Sequence, residues 1–296
     1  MFEELKTFIS VVELKNFTKA AAALNLSQPS VSTHIKNLEN YFGIVLINRS
    51  VKQKNIIITE SGYKLYARAK EILNLLDVTY SDLHNIPDTV SGTLKIGASL
   101  TIGECILPKF LSYFLKKYPY IDVEVSIKNT SSICSYVKNL SVDLGLIEGP
   151  PTVSNINQDY FFEDSMVLAY PAEEKLFKDK ISAESLQNKN WVVREEGSGT
   201  REYLNLFLAQ NKITPKSITV LGSNYAVKEA VKDGLGITVI SSLVIESEVK
   251  NKELNIFPLD KSFNRHYSCI APNNINKTEA CSLFFKELAV YFGSKH

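Results

Sequence analysis

The sequence has few of the side chains that form structural zinc sites, since its 296 residues include only four cysteines and four histidines. Cys105, Cys134, Cys269 and Cys281 show no C-x-x-C spacing, which gives a zinc site little support. We therefore expect free, buried thiols and predict no metal or other cofactor.

The chain also lacks a long apolar run. No segment approaches the about 20 apolar residues that a membrane-spanning helix needs. Glu3 and Glu4 stand where a signal peptide would carry positive charge. A cytoplasmic protein with no membrane partner is therefore expected. Apolar residues make up 45% of the 296-residue chain, enough for two or three domains with hydrophobic cores.

Net charge is nearly absent, at +1 for the whole chain, but one segment departs from this balance. Between Lys15 and Lys54 there are six basic residues and a single acid, Glu39, which gives this segment a local charge of +5. A charge run is usually a solvated face. Here it coincides with a motif for which phosphate contacts would be useful.

That motif is the stretch Ala21 to Ser32, which indicates the turn and second helix of a helix-turn-helix. Three alanines at 21 to 23 favour a short helix with little bulk, and Asn25-Leu26-Ser27 predicts a tight turn. Ser27 is a suitable N-cap, and Pro29 is tolerated in a first helical turn. An ordinary pair of surface helices is the alternative interpretation.

The second helix predicts a DNA-reading face. Val31, Ile35, Leu38 and Phe42 recur at helical spacing and leave short polar or basic side chains on the opposite side, where they can reach base edges and phosphates. With the basic loop that follows, the predicted DNA-binding residues are Gln28, Pro29, Ser30, Ser32, Thr33, Lys36, Arg49, Lys52 and Lys54.

The flanking segments complete the first domain. Phe2 to Lys15 predicts a supporting helix, and β-prone runs at 45–48 and 55–58 predict a hairpin, the wing, which closes a winged helix-turn-helix over 1–58. Residues 59–90 predict a long linker helix, N-capped by Thr59. Its apolar seam comprises Leu65, Ala69, Ile72, Leu76, Thr79 and Leu83. The seam favours a homodimer, although it could instead pack on its own domain.

From residue 91 to residue 296, β-rich runs and helical patterns alternate, which predicts a two-lobed α/β domain. Lobe I is expected at 91–162 and 268–296, and lobe II at 163–267. The chain would cross between the lobes near Phe161 to Ser165 and near Asn264 to Ser268, with a binding cleft at the crossing.

Two strand-to-helix turns predict a ligand site in that cleft, because free N–H groups at helix N-termini favour anions. One turn is Ser99 to Gly103 and the other is Gly197 to Arg201; Arg201 could instead pair with Glu195 or Glu196. The predicted ligand-binding residues are Ser99, Leu100, Thr101, Thr130, Ser198, Gly199, Thr200, Arg201, Asn224 and Tyr225. The expected ligand is a small molecule or inorganic anion.

The run from Phe8 to Glu39, including N-F-T-K-A-A-A-A-L-N-L-S-Q-P-S-V-S, resembles the N-terminal domain of LysR-type transcriptional regulators. The resemblance continues to I-T-E-S-G at Ile58 to Gly62, although Ile47 replaces the usual Phe of the wing. It implies a periplasmic-binding-protein-like effector domain. The expected partners are a promoter with pseudo-palindromic half-sites, further copies of the chain up to a tetramer, and RNA polymerase.

The run R-E-E-G-S-G-T-R at Arg194 to Arg201 resembles the effector loop of members related to regulators of sulfur and other inorganic-anion metabolism. Tyr225 stands where those relatives commonly have an acidic residue, so the effector is expected to differ from theirs in size or charge.

The residues are also compatible in part with two other functions. An enzyme with Ser198 as its nucleophile lacks a histidine that can be placed beside it. A thiol redox switch using Cys105 and Cys134 lacks a neighbour that would lower a thiol pKa. We therefore expect a non-enzymatic regulator, with redox sensing as the alternative.

Overall fold

The computed structural model describes residues 1–49, 56–84, 90–174, 182–273 and 278–293. The chain divides into two compact units, one formed by Met1–Ile86 with Asn274–Thr278 and one formed by Pro87–Asn273 with Glu279–His296. Within the described ranges, no helix combines the length and apolar character needed to cross a membrane.

The first unit contains a helix-turn-helix, a short hairpin and a long helix. Its elements are α1 (Phe2–Leu14), α2 (Phe17–Ala23), α3 (Gln28–Phe42), β1 (Ile47–Arg49), β2 (Ile56–Ile58) and α4 (Glu60–His84). The predicted cap of α3 is confirmed, because the Ser27 hydroxyl accepts a hydrogen bond from the Ser30 N–H at 3.2 Å. The helix ends at Gly43, whose φ of 67° favours glycine.

The core of this unit uses the predicted apolar face of α3 except at its last position. Val31, Ile35 and Leu38 are buried against Phe8 of α1. Phe42 is 42% exposed, so the last residue of this apolar face lies outside the core. The helix ends directly after Phe42, and its ring lies against Tyr41 rather than in the core.

The long helix begins as predicted, because the Thr59 hydroxyl accepts a hydrogen bond from the Gly62 N–H at 2.9 Å. Its seam has two parts. Ala69 is fully buried and Leu65 is partly buried against the core of the first unit. Ile72 and Leu83, further along, are 44% and 76% exposed. The seam therefore packs on its own domain in the first half and is exposed in the second.

Lobe I of the second unit is a five-stranded sheet in the order β4-β3-β5-β12-β6. Strands β3, β4 and β5 are parallel, and β12 runs antiparallel to β5 and β6. Its elements are β3 (Gly92–Ala98), a π-helix (Ile102–Ile106) continuing into α5 (Leu107–Lys117), β4 (Ile121–Ile127), α6 (Thr130–Lys138), β5 (Leu144–Glu148), β6 (Ile156–Asp164), β12 (Arg265–Pro272) and α11 (Glu279–Gly293).

Lobe II has a three-stranded antiparallel sheet in the order β10-β7-β11 and a parallel pair, β8-β9. Its elements are β7 (Met166–Pro171), α7 (Ala183–Leu186), β8 (Asn190–Arg194), α8 (Gly199–Gln210), β9 (Ser217–Leu221), α9 (Asn224–Lys232), β10 (Thr238–Ser241), α10 (Glu246–Lys250) and β11 (Leu254–Pro258). Trp191 is fully buried in its core.

The chain passes from the first sheet to the second between Asp164 and Met166, and it returns between Phe263 and Arg265. Strands β6 and β12 are paired up to the contact between Arg265 and Asp164. Both residues therefore belong to the lobe I sheet. Its strand β6 continues two residues beyond the expected bound at 162, and its strand β12 begins three residues before the expected bound at 268. The polar groups of the cleft meet at this crossing.

The cap of α4 can be tested by Thr59→Ala. The change removes the acceptor for the Gly62 N–H, so we expect a loss of about 1 kcal/mol in the free energy of unfolding, measured by urea denaturation. The control is Thr79→Ala, which removes a hydroxyl bonded only to the Leu75 carbonyl within the same helix. We expect little change there, and equal losses in both variants would contradict the capping role.

Candidate ligand-binding and DNA-binding sites

The ends of several strands bring polar side chains to the crossing between the lobes. From lobe I, Ser99 and Thr101 follow β3, and Glu148 ends β5. From lobe II, Thr200 lies in the first turn of α8 and Asn224 opens α9. All five are buried. The carboxyl ends of these strands therefore form one enclosed polar cluster, the cleft cluster, which also includes Asp164 and Arg265.

The guanidinium of Arg265 lies at the centre of the cleft cluster and is fully buried. Its Nε donates to Asp164 Oδ2 at 2.6 Å, and its Nη1 donates to Glu148 Oε2 at 2.7 Å and to Thr200 Oγ1 at 3.0 Å. Its Nη2 donates to Thr101 Oγ1 at 3.1 Å. A buried cation is tolerable only when it is paired and hydrogen-bonded, and this network meets that condition.

Glu148 accepts hydrogen bonds on both carboxylate oxygens. Oε1 accepts from the Thr101 N–H at 2.8 Å, and Oε2 accepts from Arg265 and, at 3.4 Å, from Thr200 Oγ1. Burial by itself would raise the pKa of Glu148, but the charge of Arg265 and the bonds from Thr101 lower it below its ordinary value. The carboxylate is therefore ionised at neutral pH.

A second ion pair lines the lobe II side. Nε and Nη2 of Arg194 donate to the two oxygens of Glu195 at 2.8 and 2.9 Å. Arg194 also donates to the Asn224 side-chain oxygen, and Asn224 Nδ2 donates to Thr101 Oγ1 at 3.1 Å. Arg194 is thereby linked through one amide to the turn after β3, so hydrogen bonds cross between the lobes here as well.

Two glycines allow the lobe II turn to approach lobe I closely. A Cβ on Gly199 would lie 2.6 Å from the Glu148 carbonyl oxygen. Gly197 has φ of +82°, and its carbonyl accepts a hydrogen bond from the Ser131 N–H at 3.0 Å. Larger residues at either position would force this turn away from the cleft.

The predicted ligand-binding residues occupy three kinds of position. Seven of them are buried around the cleft, namely Ser99, Thr101, Thr130, Ser198, Gly199, Thr200 and Asn224, and Leu100 is half-buried. Tyr225 is 65% exposed. Arg201 donates to Asn205 at 3.0 Å and to the Arg194 carbonyl at 3.1 Å, so it follows neither predicted orientation: it does not pair with Glu195 or Glu196, and it has no bond to the cleft cluster.

Three charged residues of the cleft cluster are absent from the predicted set: Glu148, Asp164 and Arg265. The sequence does carry a signal for one of them, because Glu148 follows the wholly apolar run L-G-L-I and stands at the end of a buried strand. Asp164 and Arg265 occur among other polar residues, and only the pairing of β6 with β12 brings them together.

A cavity of about 360 Å³ lies beside the cleft cluster. It is lined by Leu100, Glu104, Ile127, Lys128, Asn129, Ser132, Glu195 and Gly222. Leu100 directly precedes Thr101 of the cleft cluster, and Asn129 directly precedes the buried Thr130. The cavity therefore adjoins the polar turns, and its lining includes both acidic and basic side chains.

The DNA-reading face predicted on α3 is present as a surface. Gln28, Thr33 and Lys36 are exposed, and Ser32 is half-buried. Thr33 Oγ1 donates to the Pro29 carbonyl at 3.0 Å, whereas the side chains of Gln28, Ser32 and Lys36 have no hydrogen bond within the described ranges. These three side chains are available to a groove of DNA.

The helix and the wing of the first unit are tied by the one acid of the basic segment. Glu39 Oε1 accepts from the N–H groups of Leu46 at 2.8 Å and Ile47 at 3.1 Å. Its carboxylate therefore orients the entry to β1 instead of facing a phosphate. Arg49 ends β1, while Lys52 and Lys54 lie outside the described residues.

The thiols do not support a redox switch. Cys134 is buried, and burial raises the pKa of the half-buried Cys105 to about 11, with the charge of Glu104 adding to the effect. A thiol with that pKa carries almost no thiolate at neutral pH, and the thiolate is the reactive form.

A helix-turn-helix unit and a two-lobed unit with a polar cleft define a DNA-binding protein with a ligand-binding domain. Residues 2–63 match the bacterial regulatory helix-turn-helix family of lysR type, and residues 87–291 match the LysR substrate-binding domain. The chain belongs to the LysR family of transcriptional regulators and has the effector-binding domain of that family.

Relatives and solved structures agree with this assignment. The chain is 43% identical to the HTH-type transcriptional regulator CysL of Bacillus subtilis over 93% of this chain and 94% of that one. It is 31% identical to the transcriptional activator CmpR of Synechocystis, over 87% and 86%.

Two solved structures are similar in fold. Full-length CbnR complexed with its target DNA has a TM-score of 0.67 and 19% identity, and the match covers 100% of both chains. The Synechocystis CcmR regulatory domain in complex with 2-PG has a TM-score of 0.64 and 26% identity, covering 68% of this chain and 98% of that one. The predicted fold, a winged helix-turn-helix with a linker helix and a two-lobed α/β domain, is confirmed.

The contribution of the buried Arg265 guanidinium to stability can be tested by Arg265→Met. The change leaves Glu148 and Asp164 buried without their partner, so we expect a loss of about 3–5 kcal/mol in the free energy of unfolding, measured by urea denaturation. Arg201→Met is the matched control, because its partly exposed guanidinium makes only local bonds, and we expect a loss of about 0–1 kcal/mol. Similar losses in the two variants would contradict the central role of Arg265.

Proposed function

We propose that this LysR-family regulator changes its contacts with promoter DNA when a small anion binds between the two lobes. The observation that carries the proposal is the buried guanidinium of Arg265, which lies among hydroxyls and a helix N-terminus contributed by both lobes. A guanidinium and an N–H group in an enclosed site favour negative charge, which the carboxylate of Glu148 supplies in this structure.

The hydrogen bonds between the lobes supply the means for a switch. Thr200 contacts Glu148, and Asn224 contacts Thr101, each across the cleft. A ligand alters the balance between two arrangements of the lobes only if it binds one of them better. A ligand that bonds to these groups gains contacts from both lobes only in the closed arrangement.

The proposed ligand-binding residues are the buried members of the predicted set together with Arg265. The CcmR regulatory domain holds 2-PG, which supports a small-molecule ligand for this chain. The exposed Tyr225 contributes only to the outer margin of the site in this proposal.

Homodimerisation through the second half of α4 is also proposed. Its exposed apolar side chains include Ile72, Leu76 and Leu83. A two-fold pair of helix-turn-helix units reads two half-sites at a fixed spacing, which a single unit does not do. Assembly to a tetramer, contact with RNA polymerase and action in the cytoplasm belong to the same proposal.

We propose no enzymatic activity. Ser198, the residue in the Gly-Ser-Gly turn, is buried, and no histidine within the described ranges is hydrogen-bonded to it. A serine without a base is a poor nucleophile.

The DNA-reading role can be tested by Gln28→Ala. Binding sites are first selected from random duplexes with the unmodified protein, and affinities are then measured by fluorescence anisotropy. We expect a loss of about 1–3 kcal/mol on the selected site and a weaker base preference, whereas Lys36→Ala should weaken all sequences alike. An unchanged ratio of selected to random affinity in Gln28→Ala would show that Gln28 does not read bases.

The ligand site can be tested by Thr200→Val, which keeps the volume and deletes the hydroxyl. Full-length protein is titrated with acetate, phosphate and sulfate against chloride at equal ionic strength, with thermal stability and DNA binding as readouts. The anion affinity should fall by roughly 1–3 kcal/mol because an acceptor is left unpaired. Thr219→Val, the same change on β9, should respond as the unmodified protein does. If Thr200→Val and Ser99→Ala also responded normally, the ligand would bind elsewhere.

A further inference from the structure

The carboxylate of Glu148 lies where a bound anion was expected from the sequence. Its Oε1 accepts from the Thr101 N–H in the turn that opens the helical segment Ile102–Lys117. Its Oε2 is 2.7 Å from Arg265 Nη1 and 3.4 Å from the Thr200 hydroxyl of the other lobe. The protein thus fills its own anion site with a side chain.

The donors around Glu148 match a planar carboxylate. One N–H points at the first oxygen, while a guanidinium and a hydroxyl meet at the second. The Ser99 hydroxyl is also buried beside this carboxylate and has no hydrogen bond of normal geometry within the described ranges. Its nearness to the carboxylate contributes to the lowered pKa of Glu148.

Arg265 is held in place by groups other than Glu148. Its Nε is bonded to Asp164, the residue opposite it in the pairing of β6 with β12. Asp164 is fixed in turn by the Ser241 hydroxyl at 2.7 Å, and the guanidinium lies 5.3 Å from the centre of the Tyr267 ring. The cation can therefore exchange one carboxylate partner without leaving its position.

Glu148 is the partner that can be exchanged. The adjoining cavity is lined by Leu100 and Asn129, which stand one residue before Thr101 and Thr130 in the polar turns. The cavity is thus beside the two turns, although none of the groups bonded to Glu148 is part of its lining. Asp164 instead bonds to Nε of Arg265 and is its partner in the pairing of β6 with β12.

We propose that Glu148 is an internal placeholder that a carboxylate-bearing ligand displaces from Arg265, Thr101 and Thr200. This inference rests on the proposed function, since it concerns the same cleft. It assigns the ligand a carboxylate group and makes Glu148 its competitor. The lobes can then close without a ligand, and the affinity for the ligand is set partly by the strength with which Glu148 is held.

The test is acetate binding to full-length protein by titration calorimetry, with inorganic phosphate as the tetrahedral alternative and chloride as the baseline. Glu148→Gln keeps the size of the side chain and removes its charge, so the competitor is weakened while Arg265 keeps its position. We expect acetate to bind Glu148→Gln at least 10-fold more tightly than the unmodified protein, with a smaller gain for phosphate.

Glu287→Gln is the matched control. Glu287 is also a buried carboxylate of lobe I, and it accepts hydrogen bonds from Tyr113, Lys117 and Tyr118, away from the cleft cluster. Neutralising it should leave acetate affinity unchanged. An equal gain in Glu287→Gln would show a general effect of net charge and overturn the proposal. A gain in Glu195→Gln without one in Glu148→Gln would place the ligand in the outer cavity and also overturn it.

Phosphate binding that gains more than acetate binding in Glu148→Gln would refute the carboxylate assignment. If Glu148→Gln does not fold, Glu148→Asp keeps the charge on a shorter side chain and should bind acetate several-fold more tightly than the unmodified protein. If neither variant folds and added acetate does not restore folding, Glu148 is not a group that a carboxylate ligand can replace, and the placeholder role is contradicted. DNA binding of the unmodified protein is measured in parallel without acetate. If that protein binds its selected site in preference to random DNA, but Glu148→Gln gains no affinity for acetate, only the placeholder proposal is refuted. If the unmodified protein shows no preference for the selected site, the proposed function is refuted.

Discussion

The second unit depends on one ionic arrangement, a guanidinium enclosed by two carboxylates at the point where the chain crosses between its lobes. Removing a charge from water is costly, and the cost is offset only by full pairing. Arg265 achieves this through Asp164, Glu148 and the hydroxyls of Thr101 and Thr200. Because those partners come from both lobes, the requirement to pair one cation also brings the lobes together.

The surrounding backbone is adapted to this requirement. The turn before α8 approaches the Glu148 carbonyl so closely that only glycine fits at position 199. The turn after β3 presents an N–H to the Glu148 carboxylate. Two strand-to-helix turns that look like independent anion sites in the sequence are therefore parts of one network, and the internal carboxylate satisfies donors in both.

Local sequence patterns are sufficient to predict the helices and turns. The charged residues of the cleft cluster are brought together by strand pairing, which those patterns do not reveal. The caps at Ser27 and Thr59 follow from side chains next to the helices that they begin, so both can be predicted from a few residues. The hydroxyl-rich turns at 99–101 and 198–200 are likewise visible in the sequence. Arg265 and Asp164 are 101 residues apart, and nothing local marks either as a member of the cleft. Phe42 has the spacing of a buried residue on α3, but the helix ends directly after it and its side chain lies outside the core.

The division of α4 has a consequence for how strongly DNA occupancy depends on the amount of protein. Its first half is secured to the helix-turn-helix core through Ala69, while Ile72 and Leu83 are exposed and lie outside that core. In the proposed dimer the two copies pair through this separate surface, so pairing follows mass action. At low concentration, the population of pairs rises with the square of the monomer concentration, so a twofold change in expression changes the supply of paired readers by about fourfold.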